Sequence, residues 1–133
     1  MRAEIARHKE PKGPLDVKLL RGGLVDVEFL VHFLQLRDRT ALEPSLRGAI
    51  ARLVASGQLP AAVVDAYALL GRLLIATRLL APDGDVPPPA ARAVLAKSCG
   101  LADWKALLAR LAEARGTIAA SWATIFDEQL ETR

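Results

Sequence analysis

The sequence predicts an all-α fold, an antiparallel bundle of about five helices behind a short, extended N-terminal lead-in. Three observations support this prediction. Alanine and leucine, two strong helix formers, dominate a composition that is 52% hydrophobic and 25% charged. Five stretches repeat apolar residues at helical spacing, and glycine, proline or serine separates them. Only residues 15–20 alternate apolar and polar side chains as a strand does.

The first helix is expected from Leu24 to about Arg39, entered through Gly22 and Gly23. Glycine is an acceptable N-cap, and the doublet suits a tight entry into the helix. Apolar residues surround most of the circumference of this segment. Because such a helix is normally buried on all sides, we expect it to be the central member of the bundle.

Four further helices follow at ordinary start and stop signals. They are expected at residues 45–57, 60–81, 89–98 and 103–129. Ser45 and Asp103 are expected as N-caps, because a short oxygen-bearing side chain accepts from the free N–H groups of the first turn. Pro60 suits a first-turn position, and Gly100 suits the position just after a helix end.

The strand-like run at residues 15–20 has no second strand to pair with in this sequence. We therefore expect residues 1–21 to be the tail of an absent domain and its junction with a helical bundle domain, residues 22–133. Residues 1–21 hold six Lys or Arg against three acids, and the remaining residues hold twelve of each sign. The basic excess fits either a solvated arm or a segment that faces phosphates or an acidic neighbour.

Several function classes find no support in the composition. The single cysteine, Cys99, cannot form an internal disulfide, which favours the reducing cytoplasm and a role as a small buried hydrophobe. The start of the chain lacks the apolar core of a signal peptide, and the most apolar stretches carry charges that a membrane span excludes. Motifs for phosphate loops, zinc sites, nucleophile elbows and nucleic-acid binding are missing. We expect no catalytic residue and no metal site.

One constellation stands at the start of the first helix. Its candidate cofactor-binding residues are Lys18, Arg21, Gly22, Gly23, Asp26 and Glu28. Helical spacing places Asp26 on the same face as Phe29, and a carboxylate among apolar side chains needs a partner. In the structural interpretation Asp26 caps its own helix or pairs with Lys18 or Arg21.

In the functional interpretation, the same residues bind a phosphate at the N-terminus of the helix. The glycine doublet would let the backbone approach that phosphate, and Lys18 and Arg21 would supply charge. Asp26 would hold a metal or orient a base, looking outward from the bundle toward chemistry in a neighbouring domain.

Glu28, His32 and Gln35 form a separate polar stripe on the same helix. Glu28 and His32 are four residues apart and could pair, but they supply at most two metal ligands. A metal–carboxylate bundle would need a second such pair on a facing helix, and the sequence offers none. A stripe that faces solvent or another domain accounts better for these residues.

The run from Leu15 to Phe29 resembles a signature of the glutamine synthetase adenylyltransferase family. The family pattern is Asp-x-Lys, then Gly-Gly, then Asp-x-Glu-Phe. The matching residues are Asp16, Lys18, Gly22, Gly23, Asp26, Glu28 and Phe29. His32 departs from the glutamine that the family often shows, which weakens any polar role carried over to that position.

The resemblance implies a helical domain that follows a nucleotidyltransferase domain of the same parent chain. It implies that the parent enzyme uses ATP and Mg²⁺ to transfer AMP to glutamine synthetase, and that it removes this AMP under the control of PII protein and glutamine. The Gly-Ser pair of that reaction's metal-binding pattern is missing here, so we expect the catalytic residues ahead of Met1 and no activity or bound cofactor for this chain alone. Both halves of such an enzyme share this domain type, so the chain fits either one.

The alternative hypothesis is a stand-alone helical module that binds a regulatory protein of the PII type. An exposed groove with Leu or Trp side chains would favour it, and so would tight PII binding by this chain in calorimetry. Neither hypothesis involves nucleic acid or a membrane.

Overall fold

A computed structural model describes residues 10–39, 42–83 and 85–126, and this part of the chain contains five helices and no strand. The helices are α1 (Leu24–Asp38), α2 (Leu46–Ala55), α3 (Ala62–Leu80), α4 (Pro89–Ser98) and α5 (Trp104–Phe126). The prediction of an all-α helical bundle is therefore confirmed. The last three residues predicted for the fifth helix lie outside the described residues.

The helix ends follow the capping residues that the sequence predicts. The Ser45 hydroxyl accepts from the Gly48 N–H at 3.2 Å, and the Asp103 carboxylate accepts from the Ala106 N–H at 2.8 Å. Each bond satisfies a first-turn donor that the helix itself leaves free. Gly100 follows α4 with a φ of +76°, a left-handed conformation that glycine adopts without a steric cost.

Replacing Ser45 with alanine should lower the free energy of unfolding by about 1 kcal/mol, because the Gly48 N–H loses its acceptor. Urea denaturation followed by circular dichroism measures the change. Ser98→Ala is the control, since the Ser98 hydroxyl only donates back to the Val94 carbonyl of its own helix. Equal losses in the two variants would contradict the capping role.

The central helix is α3, which contacts all four other helices and packs most extensively against α5. The prediction that the first helix is the central member is wrong. One side of α1 stays open, with Leu36 78% exposed and Glu28 exposed as well. The reason is that α1 packs against α2, α3 and α5 from one side only, with the Phe29 ring 5.6 Å from that of Trp122 in α5.

The lead-in, residues 10–21, forms consecutive turns rather than the predicted strand. The Leu20 N–H donates to the Asp16 carbonyl at 2.9 Å, and the Leu24 N–H of α1 donates to the Val17 carbonyl at 2.8 Å. Leu15 and Val17 are both 1% exposed and belong to the core of the bundle. The alternating apolar residues therefore form turns, and their side chains are buried in the core of this chain. Assignment of residues 1–21 to another domain stays a prediction.

None of the helices in the described residues combines the length and the apolar content that a bilayer-spanning helix requires. Cys99 is 4% exposed, and burial raises the pKa of its thiol above the usual range. Its position fits the expected role as a small buried hydrophobe.

Candidate functional site

The glycine doublet lies where three backbone segments meet. Gly22 has a φ of +80°, and a Cβ atom there would stand 2.5 Å from the backbone oxygen of Arg115 in α5. A Cβ atom at Gly23 would stand 2.2 Å from the carbonyl oxygen of Val17 in the lead-in. Both contacts are with backbone, which cannot rotate away as a side chain can. The two glycines therefore let the lead-in, the start of α1 and the middle of α5 pack in direct contact.

Asp26 lies at the centre of this junction and is fully buried. One of its carboxylate oxygens accepts from the Gly22 N–H at 2.7 Å, four residues earlier in the chain. A carboxylate in the first turn also complements the partial positive charge of the helix N-terminus. The prediction that Asp26 looks outward from the bundle is wrong, and the capping interpretation accounts for the observed bond.

Arg115 of α5 closes the junction from the other side. Its Nε–H donates to the Arg21 carbonyl at 2.9 Å, across a sequence separation of 94 residues. Burial lowers the pKa of the Arg115 guanidinium, and the negative charge of Asp26 partly offsets this effect. Arg115 thus supplies both a backbone contact for the lead-in and a counter-charge for the buried acid.

Arg115 is not among the predicted site residues, although the sequence carries a signal for it. Arg115 occupies a position on the apolar stripe of α5, four residues after Leu111 and three before Ile118. A cation at such a position needs a buried acceptor or acid. The acid itself, Asp26, lies in the first helix, and no local pattern connects the two residues.

The six predicted site residues do not share one pocket. Gly22, Gly23 and Asp26 are buried in the junction, where the half-buried Arg21 also offers its carbonyl to Arg115. Lys18 of the lead-in and Glu28 of α1 are exposed. Glu28 and His32 both lie on the open side of α1, as expected for a stripe that faces solvent or another domain. Within the ranges that the structure describes, no group of three His, Cys, Asp or Glu side chains is placed to hold a metal.

A cleft of about 410 Å³ lies between the lead-in and the last turns of α3. Its cations come from Lys12, Lys18 and Arg78, and its apolar lining includes Leu74. Among the described residues of the lining, only Asp16 carries a carboxylate. The two oxygens of that carboxylate accept from backbone N–H groups of the lead-in at 2.9 and 3.4 Å. The charged side chains of the cleft are therefore mainly positive, and they lie beside apolar side chains of the lining.

Comparison with curated proteins finds six that carry the same description, bifunctional glutamine synthetase adenylyltransferase/adenylyl-removing enzyme. The protein from Caulobacter vibrioides is 35% identical over an alignment of 138 positions that covers 94% of this chain. The proteins from Xanthomonas axonopodis pv. citri and Stenotrophomonas maltophilia are 38% and 35% identical over alignments of 135 positions that cover 92% of this chain.

The chain spans only 14% of the length of each of these relatives. The resemblance expected from the motif is thus confirmed, and the chain is similar to one segment of the bifunctional enzyme. No family model matches the chain, and no solved structure matches it.

Proposed function

We propose that the chain is a helical accessory domain of a bifunctional glutamine synthetase adenylyltransferase/adenylyl-removing enzyme. The observation that carries this proposal is the match of nearly the whole chain to one segment of six such enzymes. The domain supports AMP transfer to and from glutamine synthetase, and the catalytic groups lie in a nucleotidyltransferase domain of the same polypeptide. That domain binds the ATP and Mg²⁺, and PII protein is a regulatory partner in the cytoplasm.

The geometry of the junction supports a positioning role. Gly22, Gly23 and Asp26 bind the lead-in firmly to α1 and α5. A catalytic domain connected through the lead-in would therefore be held in a defined orientation against the bundle. The exposed site residues, Lys18 and Glu28, remain available to that neighbour or its nucleotide. We assign the buried residues to the fold and the exposed ones to contact with the neighbouring domain.

Two linked measurements test this proposal. The isolated chain, incubated with ATP, Mg²⁺ and glutamine synthetase, should yield no adenylylated product, because no group of three His, Cys, Asp or Glu side chains within the described residues is placed to hold the metal that the reaction needs. The second measurement uses a chimera, the Caulobacter enzyme in which this chain replaces the matching segment. The chimera should adenylylate glutamine synthetase.

The matched controls are the unmodified Caulobacter enzyme and the same enzyme with the segment that matches this chain deleted. We expect the deletion to abolish transfer and the chimera to restore it. Robust transfer by the isolated chain, or a chimera no more active than the deletion, would contradict the accessory role.

A further inference from the structure

Beyond the junction, one part of the surface combines exposed apolar side chains with positive charges that form no ion pair within the described residues. It consists of the cleft beside the lead-in and the neighbouring side of α3. We call it the α3 surface and define it by Lys12, Lys18, Ile75, Arg78 and Leu79. We propose that the α3 surface is where the nucleotidyltransferase domain of the same polypeptide docks, through an acidic element with apolar side chains. This inference rests on the proposed function.

The apolar part of the α3 surface follows one side of the helix. Ile75 and Leu79 are 65% and 81% exposed, and residues four apart lie side by side on a helix. Val64 is 41% exposed on the same side, and a Cβ atom at Gly71 between them would meet nothing within 4 Å. Single exposed leucines are ordinary, but an apolar stripe along a helix is typical of a helix that packs against a partner.

The charges of the α3 surface indicate the chemistry of its partner. Within the described residues, Lys12, Lys18 and Arg78 form no ion pair, and Asp16 is engaged by backbone N–H groups. A partner with carboxylates around an apolar element would complement this surface. A second copy docking symmetrically through the same surface would instead bring like charges together.

The position of the α3 surface points to a domain of the same polypeptide. The lead-in forms one wall of the cleft, and α3 forms the opposite wall. On the proposed function, the nucleotidyltransferase domain joins the bundle through this lead-in. A domain joined to the bundle through the lead-in lies next to the cleft. When it docks there, it covers the exposed side chains of α3.

Amide hydrogen exchange by mass spectrometry tests the inference, with the isolated chain compared against the Caulobacter chimera. We expect exchange at residues 12–19 and 72–82 to slow in the chimera. Residues 105–113 of α5 should exchange equally in both proteins. An active chimera in which the α3 surface exchanges as fast as in the isolated chain would overturn this inference and leave the proposed function standing. An inactive chimera would defeat both.

A pair of variants separates docking from folding. Arg78→Glu with Leu79→Asp reverses the charge and removes the apolar contact on α3. Arg110→Glu with Leu108→Asp makes the same changes at exposed positions of α5. In the isolated chain, both pairs should leave the melting temperature nearly unchanged. In the chimera, only the α3 pair should lose the exchange protection and reduce adenylyl transfer.

Two other results would contradict the proposal. One is a dimer of the isolated chain in sedimentation equilibrium that Leu79→Asp dissociates, which would make a second copy the occupant. The other is tight calorimetric binding of PII protein by the isolated chain that the same variant abolishes.

Discussion

Alanine in place of Gly22 or Gly23 should lower the free energy of unfolding by about 3 kcal/mol or more. At Gly22 two costs combine, because the residue has a φ of +80° and its Cβ atom would stand 2.5 Å from a backbone oxygen of α5. At Gly23 the obstacle is steric alone, since the Cβ atom would collide with the carbonyl oxygens of Val17 and Leu20 at 2.2 and 2.6 Å. Relief requires the lead-in or α5 to move, which disrupts the junction.

The chain offers matched controls for both costs. Gly57 has a φ of +79° with nothing within 4 Å of a Cβ atom, so Gly57→Ala should cost only the left-handed strain, about 1–2 kcal/mol. Gly116 lies inside α5 with open space around it, so Gly116→Ala should stabilise the helix by about 0.5–1 kcal/mol. Urea denaturation of all four variants measures these differences. If Gly22→Ala costs no more than Gly57→Ala, the close packing of Gly22 on α5 is wrong.

Replacing Asp26 with alanine should lower the free energy of unfolding by about 2–3 kcal/mol. The Gly22 N–H would lose its acceptor in a buried site, and the partly buried Arg115 would lose the acid that offsets its desolvation. Asp26→Asn retains an acceptor oxygen but not the charge, so it should cost less. The two variants together separate the hydrogen bond from the charge.

Asp65 is the matched control for Asp26, because it is also an acid in the first turn of a helix but is exposed. Asp65→Ala should cost only the interaction with the helix dipole, about 0.3–1 kcal/mol. A double-mutant cycle of Asp26→Ala with Arg115→Met in urea denaturation measures the coupling directly. Equal losses for Asp26 and Asp65, with no coupling to Arg115, would contradict an electrostatic interaction between Asp26 and Arg115.

Most of the helical fold could be predicted because local chemistry decides it. Ser45, Asp103 and Gly100 act within a few residues of their own positions, so the bounds of the helices follow from nearby side chains. The motif at the start of α1 could also be found, because its residues are close in sequence.

The remaining features depend on contacts that no local pattern contains. The lead-in alternates like a strand, yet Leu15 and Val17 are buried by helices far along the chain. The apolar residues around α1 predict a central position for that helix. The helix that contacts all the others is α3, which no local pattern in the sequence shows. The charge of Asp26 acts on Arg115 of α5, which donates to the Arg21 carbonyl 94 residues away. A carboxylate near a glycine doublet has the same local sequence whether it faces a ligand or a second helix.

The glycine–aspartate motif is a buried junction that unites the lead-in with the bundle. Amide hydrogen exchange of the isolated chain by NMR tests this arrangement at the Gly22 N–H that donates to Asp26. We predict that this amide exchanges only through global unfolding, with the same protection as the amides in the middle of α3. Exchange of the Gly22 amide at the rate of an unstructured peptide, while α3 stays protected, would contradict the account.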